Sequence, residues 1–177
     1  LQTKKISDKR KTLNMAWEYD GKPFSGVGTR PWLGPKFWCP GMQNTADFSN
    51  QKVFRYADAI LMMAECYLEL DDTDNAMRYL NMVKDRAQIA RYETFKNYDH
   101  LHEEIERERA RELFGEFQRK YDLVRWGSWY RQTFDYTDYK SLQDNILPCH
   151  EYYPIPDKEV TYSGNALDND AYAEWGL

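Results

Sequence analysis

No stretch of these 177 residues is suited to crossing a bilayer as a helix: the longest aliphatic run, Ile60 to Ala64, falls far short of the roughly 20 apolar residues a span needs. No apolar signal core stands at the start. Cysteine is scarce. Cys39, Cys66 and Cys149 lie far apart with no CxxC spacing, which gives neither a zinc site nor a closed disulfide framework and leaves a Cys39–Cys149 pairing open. An excess of positive charge is also missing: Lys+Arg 24 against Asp+Glu 29 gives a net charge of -5, so no basic field exists to gather nucleic acid or anionic lipid. GxSxG, Walker-type, GxGxxG and HExxH motifs and a Cys/His nucleophile arrangement are all wanting. What is abundant is apolar and aromatic surface. A 42% hydrophobic fraction with 8 Phe, 6 Trp and 14 Tyr excludes a disordered polyelectrolyte, and the length bounds the chain to one domain with irregular extensions. Because the first residue is Leu1 and not Met, the chain is expected to be a piece of a longer polypeptide.

The pattern divides into three stretches. Residues 1–52 open with a basic run (Lys4, Lys5, Lys9, Arg10, Lys11) and pass into a Gly-, Pro- and aromatic-rich segment from Gly21 to Gly41, which favours ordered loops over helices. Residues 53–131 read as helical hairpins. Phe54, Ala57, Ile60, Leu61, Ala64, Tyr67 and Leu68 recur at three- and four-residue steps, and Met62 and Met63 add apolar surface on the flank, so this helix is predicted to sit between others. Asp71, Asp72 and Thr73 interrupt it and offer capping oxygens to a second helix carrying Ala76, Leu80, Val83 and Ala87. Two helices joined so tightly must pack antiparallel. A third is predicted from Asp99 through the charged HEEIERERARELF, with Leu101, Ile105, Leu113 and Phe114 as its apolar contacts, and a fourth from Phe117 to Tyr130. In residues 132–177, Pro148, Pro154 and Pro156 point to an extended tail strapped over the helices.

Chemistry has few candidate homes. Glu103, Glu104, Glu106, Glu108 and Glu112 resemble the carboxylate clusters of glycosidases, but Arg107, Arg109, Arg111 and Arg119 at three- and four-residue offsets predict ion pairs that keep the acids ionised, where a general acid needs a raised pKa. His102 and Glu106 stand one turn apart with His100 nearby, and no third ligand has a recognisable metal spacing. The aromatics are more suggestive. Trp17, Tyr19, Phe24, Trp32, Phe37 and Trp38 fall among glycines and prolines, where loops present flat rings to sugars or other amphipathic groups; the alternative is that they cover the helices as satellite core. Trp32 and Trp38, in GTRPWLGPKFWCPG, are the leading binding candidates and Trp17 and Arg30 the secondary ones, with Arg30 or Lys36 placed to orient hydroxyl or carboxylate groups.

From Arg55 to Cys66 the sequence resembles the RYADVLLMYAEA helix of the RagB/SusD family of Bacteroidetes outer-membrane nutrient-binding lipoproteins. Asn81 to Gln88 resemble that family's "N.iR.RAG", and Glu108, Arg109, Glu112 and Leu113 its ERrxEL signature. Glu116, Arg119, Asp122, Leu123, Arg125, Trp126 and Gly127 follow its ExxRxxDLxRWG, while Tyr153 to Pro156 and Asp168 to Tyr172 are similar to its "lPIP" strap and closing "QNPGY". Three departures are evident: Phe117 stands where Gly usually follows the Glu, Lys84 replaces an Arg, and Asp170 and Ala171 replace Pro and Gly.

The resemblance implies a mostly α fold of tetratricopeptide-like helical hairpins with irregular segments at both ends. It reads Glu108, Arg109, Glu112, Arg119, Asp122 and Arg125 as scaffold. It also implies a non-catalytic, cofactor-free protein that captures oligosaccharides or polysaccharides, or in some members peptides. Such a protein sits on the outer membrane through an N-terminal lipid anchor absent from this chain, beside a SusC-like TonB-dependent transporter. Family members run about two to three times longer than this chain, so the main site is open to lying in the missing half. The rival expectations are a protein–protein interaction module without a small ligand, and a glycosidase built on the Glu-rich helix.

Overall fold

The computed structural model describes residues 8–19, 21–23, 31–39, 41, 50 and 52–176. The chain forms two compact units, Leu1–Arg119 and Lys120–Leu177, and is mostly α-helical as expected.

The first unit is built on three helices. α2 (Tyr56–Glu69) follows a short α1 (Arg10–Asn14) and buries Ala57, Leu61, Ala64 and Leu68, one per turn on a single face. It stops without glycine. Asp71 adopts a left-handed conformation (φ 58), which lets the Asp71 and Asp72 amides return to the carbonyls of Leu68 (3.0 Å) and Tyr67 (2.9 Å). Asp72 then caps α3 (Thr73–Arg86), its carboxylate accepting from the Asn75 side-chain amide at 2.7 Å and from the Asn75 backbone N–H at 3.1 Å; these hydrogen bonds, the side-chain one foremost, hold the Asp72 pKa below its ordinary value. The interruption read from Asp71 to Thr73 is therefore a linked stop and start.

α4 (Tyr98–Glu112) begins at Asn97, whose side chain accepts from the His100 amide at 3.0 Å. The core is Leu61, Ala64, Leu68, Ala76, Leu80, Val83, Leu101 and Ile105, with Tyr67 stacked on Tyr79 at 5.3 Å beside it. The stretch between α3 and α4 is clasped by Asn81, which donates to the Tyr92 carbonyl (2.9 Å) and accepts from its amide (2.7 Å).

Among the described residues, four two-residue strands precede these helices. β1 (Met15–Ala16) pairs antiparallel with β4 (Trp32–Leu33), setting Ala16 opposite Trp32, while β2 (Glu18–Tyr19) pairs with β3 (Lys22–Pro23). A 3-10 turn, Pro35–Phe37, follows β4.

The second unit departs from the sequence reading in two ways. The helix expected from Phe117 to Tyr130 is two helices, α5 (Arg119–Arg125) and α6 (Trp129–Tyr136). Gly127 separates them: at φ 63 it turns the chain so that the Gly127 and Ser128 amides bond the carbonyls of Val124 and Leu123, both at 2.9 Å. The tail is not extended throughout. It contains α7 (Lys140–Asn145), a 3-10 turn at Pro148–Glu151, α8 (Asp157–Tyr162) and α9 (Asp170–Ala173). Pro148 occupies the first position of its turn and Pro156 immediately precedes α8, places where proline's fixed φ starts a helix and its missing N–H costs nothing. Asn169 closes the strap by exchanging hydrogen bonds with Ile155 at 2.8 and 2.9 Å. Leu123, Trp129 and Ile146 form this unit's core.

Two residues after α4 take left-handed backbone, Gly115 (φ 73) and Phe117 (φ 63). A Cβ on Gly115 would meet Phe37 Cζ at 2.5 Å, so no side chain fits without displacing that ring. Phe117 is a bulky residue held where the family pattern carries glycine. Relief of about 1–2 kcal/mol of left-handed strain, less the about 0.5–1 kcal/mol entropy cost of a glycine, predicts that Phe117→Gly stabilises the fold by up to about 1.5 kcal/mol. Gly115→Ala is expected to destabilise by about 2 kcal/mol. Urea unfolding midpoints of the two variants check both signs.

Candidate functional site

The aromatic segment is held in place by the acidic side of α4. Glu104, Glu108 and Glu112 recur every four residues along that helix, Glu116 continues the spacing just beyond it, and all four are buried. Buried carboxylates so arranged repel one another and require cations. The cations arrive from across the unit. Arg10 bonds Glu108 at 2.6 Å and Glu112 at 3.0 Å, and Asp8 holds its outer edge at 2.7 Å. Arg55 grips Glu116 through Nε and Nη2, both at 2.8 Å, and reaches Glu112 at 3.0 Å. Arg86 pairs with Glu112 and Lys36 with Glu116. Lys84 meets Glu104 at 2.9 Å, so the lysine that replaces the family's arginine still makes an ion pair. Arg111 bridges Glu104 and Glu108 at 3.3 and 3.2 Å, and Arg109 crosses to Asp58 of α2 at 2.9 Å.

The same groups finish the helix. Carbonyls at the C-terminal end of α4 lack intrahelical donors; Asn14 donates to that of Arg111 (2.9 Å), Lys36 to those of Glu112 (2.7 Å) and Phe114 (3.1 Å), and Arg55 to that of Glu112 (2.9 Å). Burial alone would raise the pKa values of Glu104 and Glu116. Hydrogen bonds from Lys84 and Arg111 to the first, and from Arg55 and Lys36 to the second, bring both below the ordinary glutamate range. These two acids are ionised at neutral pH.

On this scaffold the predicted binding residues fall into four groups. Trp17, on the bend after β1, is 54% exposed, and Trp32, in β4, is 45% exposed. Ala16 pairs with Trp32, so Trp17 stands on the bend directly after the residue opposite Trp32, outside the sheet itself. Trp38 is half-buried and its indole N–H donates to the Leu33 carbonyl at 3.0 Å, which fixes the chain next to β4. Arg30 and Phe24 lie outside the described residues. Lys36, expected to orient a ligand, has its ammonium engaged with α4 and Glu116; burial pulls its pKa below the usual lysine value.

The remaining candidates resolve into local pairs. His102 Nδ1 lies 3.2 Å from Glu106, and this hydrogen bond raises the imidazole pKa. His100 instead faces the Tyr92 hydroxyl at 3.2 Å. Among the described residues no three His, Cys, Asp or Glu side chains are grouped to hold a metal ion, and no helix is long and apolar enough to cross a membrane.

Arg10, Lys36, Arg55, Lys84 and Arg86 were not identified as partners from sequence. The four-residue repeat of Glu104, Glu108, Glu112 and Glu116 is the signal that demanded them.

Comparison with known proteins places this arrangement. The SusD family model matches residues 36–172. The SusD-like protein P25 of Formosa agariphila is 36% identical over 173 residues, which cover 93% of this chain and 32% of that protein. The crystal structure of a SusD superfamily protein from Bacteroides vulgatus superimposes with a TM-score of 0.69 at 28% identity, covering 87% of this chain and 37% of that one. This chain thus spans about a third of the length of these relatives.

The ion pairs set a pH dependence. Glu104 and Glu116 have folded-state pKa values below the ordinary 4.5, so their contribution to stability is complete above that pH and is lost as pH falls through the lowered values. Acid titration of the unfolding midpoint is expected to show stability declining below about pH 4.5. Glu116→Gln and Glu104→Gln are each expected to flatten that decline.

Proposed function

The chain belongs to the SusD family, and we propose that it acts in nutrient uptake as a non-catalytic binder of oligosaccharides or polysaccharides. In this reading the protein works at the outer-membrane surface, reached through a lipid anchor outside this sequence, and passes its ligand to a SusC-like TonB-dependent transporter. The observation that carries the reading is the exposure of Trp32 in β4 and of Trp17 on the bend that follows β1. Indole faces stack on the apolar faces of sugar rings, and exposed rings on short, ordered segments lose little conformational freedom on binding. Trp38 serves as a positioning residue through its bond to Leu33, and Arg30 as a polar partner.

Support for binding without turnover comes from the acidic helix. Glycoside hydrolysis needs a protonated acid beside a carboxylate. Here Glu104 and Glu116 are buried, cation-paired and lowered in pKa, while Glu108 and Glu112 are occupied by arginines.

The test uses the protein expressed from its complete reading frame, against soluble polysaccharides and peptides, scoring retention and new reducing ends in the same samples. Retention of a polysaccharide without new ends is expected. Joint Trp17→Ala and Trp32→Ala substitution is expected to weaken retention at least about tenfold, corresponding to about 1.4 kcal/mol. Unchanged affinity would move the platform elsewhere, and new reducing ends would overturn the non-catalytic assignment.

A further inference from the structure

Phe117 combines two features that its own packing does not repay: a left-handed backbone (φ 63) and a side chain 79% exposed. A bulky residue in that conformation is strained, and a ring left in water recovers little of the cost by burial. It stands where the family pattern carries glycine, so the ring distinguishes this chain. Strain of this kind collects at sites that present a side chain to something else.

The neighbouring segment presents a second ring. The Arg55 guanidinium holds Glu116 through Nε and Nη2, both at 2.8 Å, and the Gln118 side chain donates to the Val53 carbonyl at 3.1 Å. These two ties, in antiparallel order, leave Phe54 opposite Phe117 between them, and Phe54 is 78% exposed. Val53 is exposed beside it. The patch is apolar and neutral, because Arg55 and Lys36 are both committed to Glu116. Exposed apolar surface held on a rigid scaffold marks a contact site.

The position of the patch points to its occupant. The Phe37 ring lies so close to Gly115 that an added Cβ would meet it at 2.5 Å, and Lys36 donates to the Phe114 carbonyl at 3.1 Å. The turn that carries Phe117 is therefore in contact with the 3-10 turn that follows β4. Phe37 is five residues beyond Trp32, at most about 18 Å of extended backbone. A long neutral molecule with repeating apolar faces is the chemistry that rings spaced in this way can engage at more than one point. We infer that Phe54 and Phe117 form a second stacking subsite, which takes a sugar unit of the same polysaccharide chain further along from the unit at Trp17 and Trp32. This rests on the proposed glycan-binding function and adds a length requirement to it: chains long enough to reach both subsites bind more tightly than chains that fill one.

The test uses the protein from the complete reading frame with soluble neutral polysaccharides, amylopectin, laminarin, xylan and galactomannan among them, and with oligosaccharides released from each by partial acid hydrolysis and separated by length. Phe54→Ala and Phe117→Gly are each expected to weaken retention of the long chains by about threefold or more, and to leave the shortest oligosaccharide that binds unaffected. Phe117→Gly also raises the urea midpoint, so its loss of binding cannot come from a damaged fold. Equal affinity of wild type and both variants for a retained polysaccharide overturns the inference and leaves the parent reading standing. An equal loss at every length overturns the separate subsite. Loss of a co-purifying protein with polysaccharide affinity unchanged assigns the pair to that partner and overturns it as well. If the wild type retains no polysaccharide, the parent reading falls and takes the inference with it.

Discussion

The structure of the first unit depends on burying a column of carboxylates. Glu104, Glu108, Glu112 and Glu116 follow one another at four-residue steps, and Glu108 is fully buried. An ionised carboxylate withdrawn from water is strongly unfavourable unless cations and hydrogen bonds replace the hydration, and the last acids here stand at a helix end that already carries partial negative charge. Cations are therefore favoured there twice, by the side chains and by the carbonyls. Lys36 and Arg55 answer both, each binding a carboxylate and a main-chain oxygen of the same helix end. Arg10 and Asn14 act beside them from a segment about a hundred positions earlier in the chain. Sequence-distant loops with little apolar core of their own are thereby fixed to the helices by charge.

Much of this architecture is legible in the sequence, because it rests on local periodicity. The stripes of α2 and α3, the Asp72 cap and the start of α4 follow from apolar spacing and capping chemistry alone. The stops are harder to read. Asp71 and Gln88 take left-handed conformations that glycine usually supplies, at φ 58 and 56, so two helix ends carry no glycine signal. At Gly127 the opposite holds: a glycine stands inside the single helix expected from Phe117 to Tyr130, and its left-handed turn makes two. The prolines of the tail were read as barriers to helix, whereas before or at the first turn they initiate it.

The site was less legible for a different reason. Local spacing pairs Glu103 with Arg107 at 2.8 Å, an exposed contact of modest worth. The pairs that organise the unit join α4 to Arg10, Lys36, Arg55, Lys84 and Arg86, and long-range partners leave no periodic trace. Trp38 illustrates the same limit. Nothing in GTRPWLGPKFWCPG distinguishes an indole that bonds a nearby carbonyl from one left facing water.

The placement of charge also constrains what the exposed surface can recognise. Three basic groups near the described part of the aromatic segment are engaged in the ion-pair column: Lys36 by Glu116 and two carbonyls, Arg55 by Glu112 and Glu116, Arg10 by Asp8, Glu108 and Glu112. Releasing any of them toward an anionic ligand would strand a buried carboxylate, a cost of about 3–5 kcal/mol that a surface contact does not repay. In the proposed reading Trp17 and Trp32 meet the ligand, and a neutral, hydroxylated ligand with apolar faces would draw no cation away from the ion-pair column.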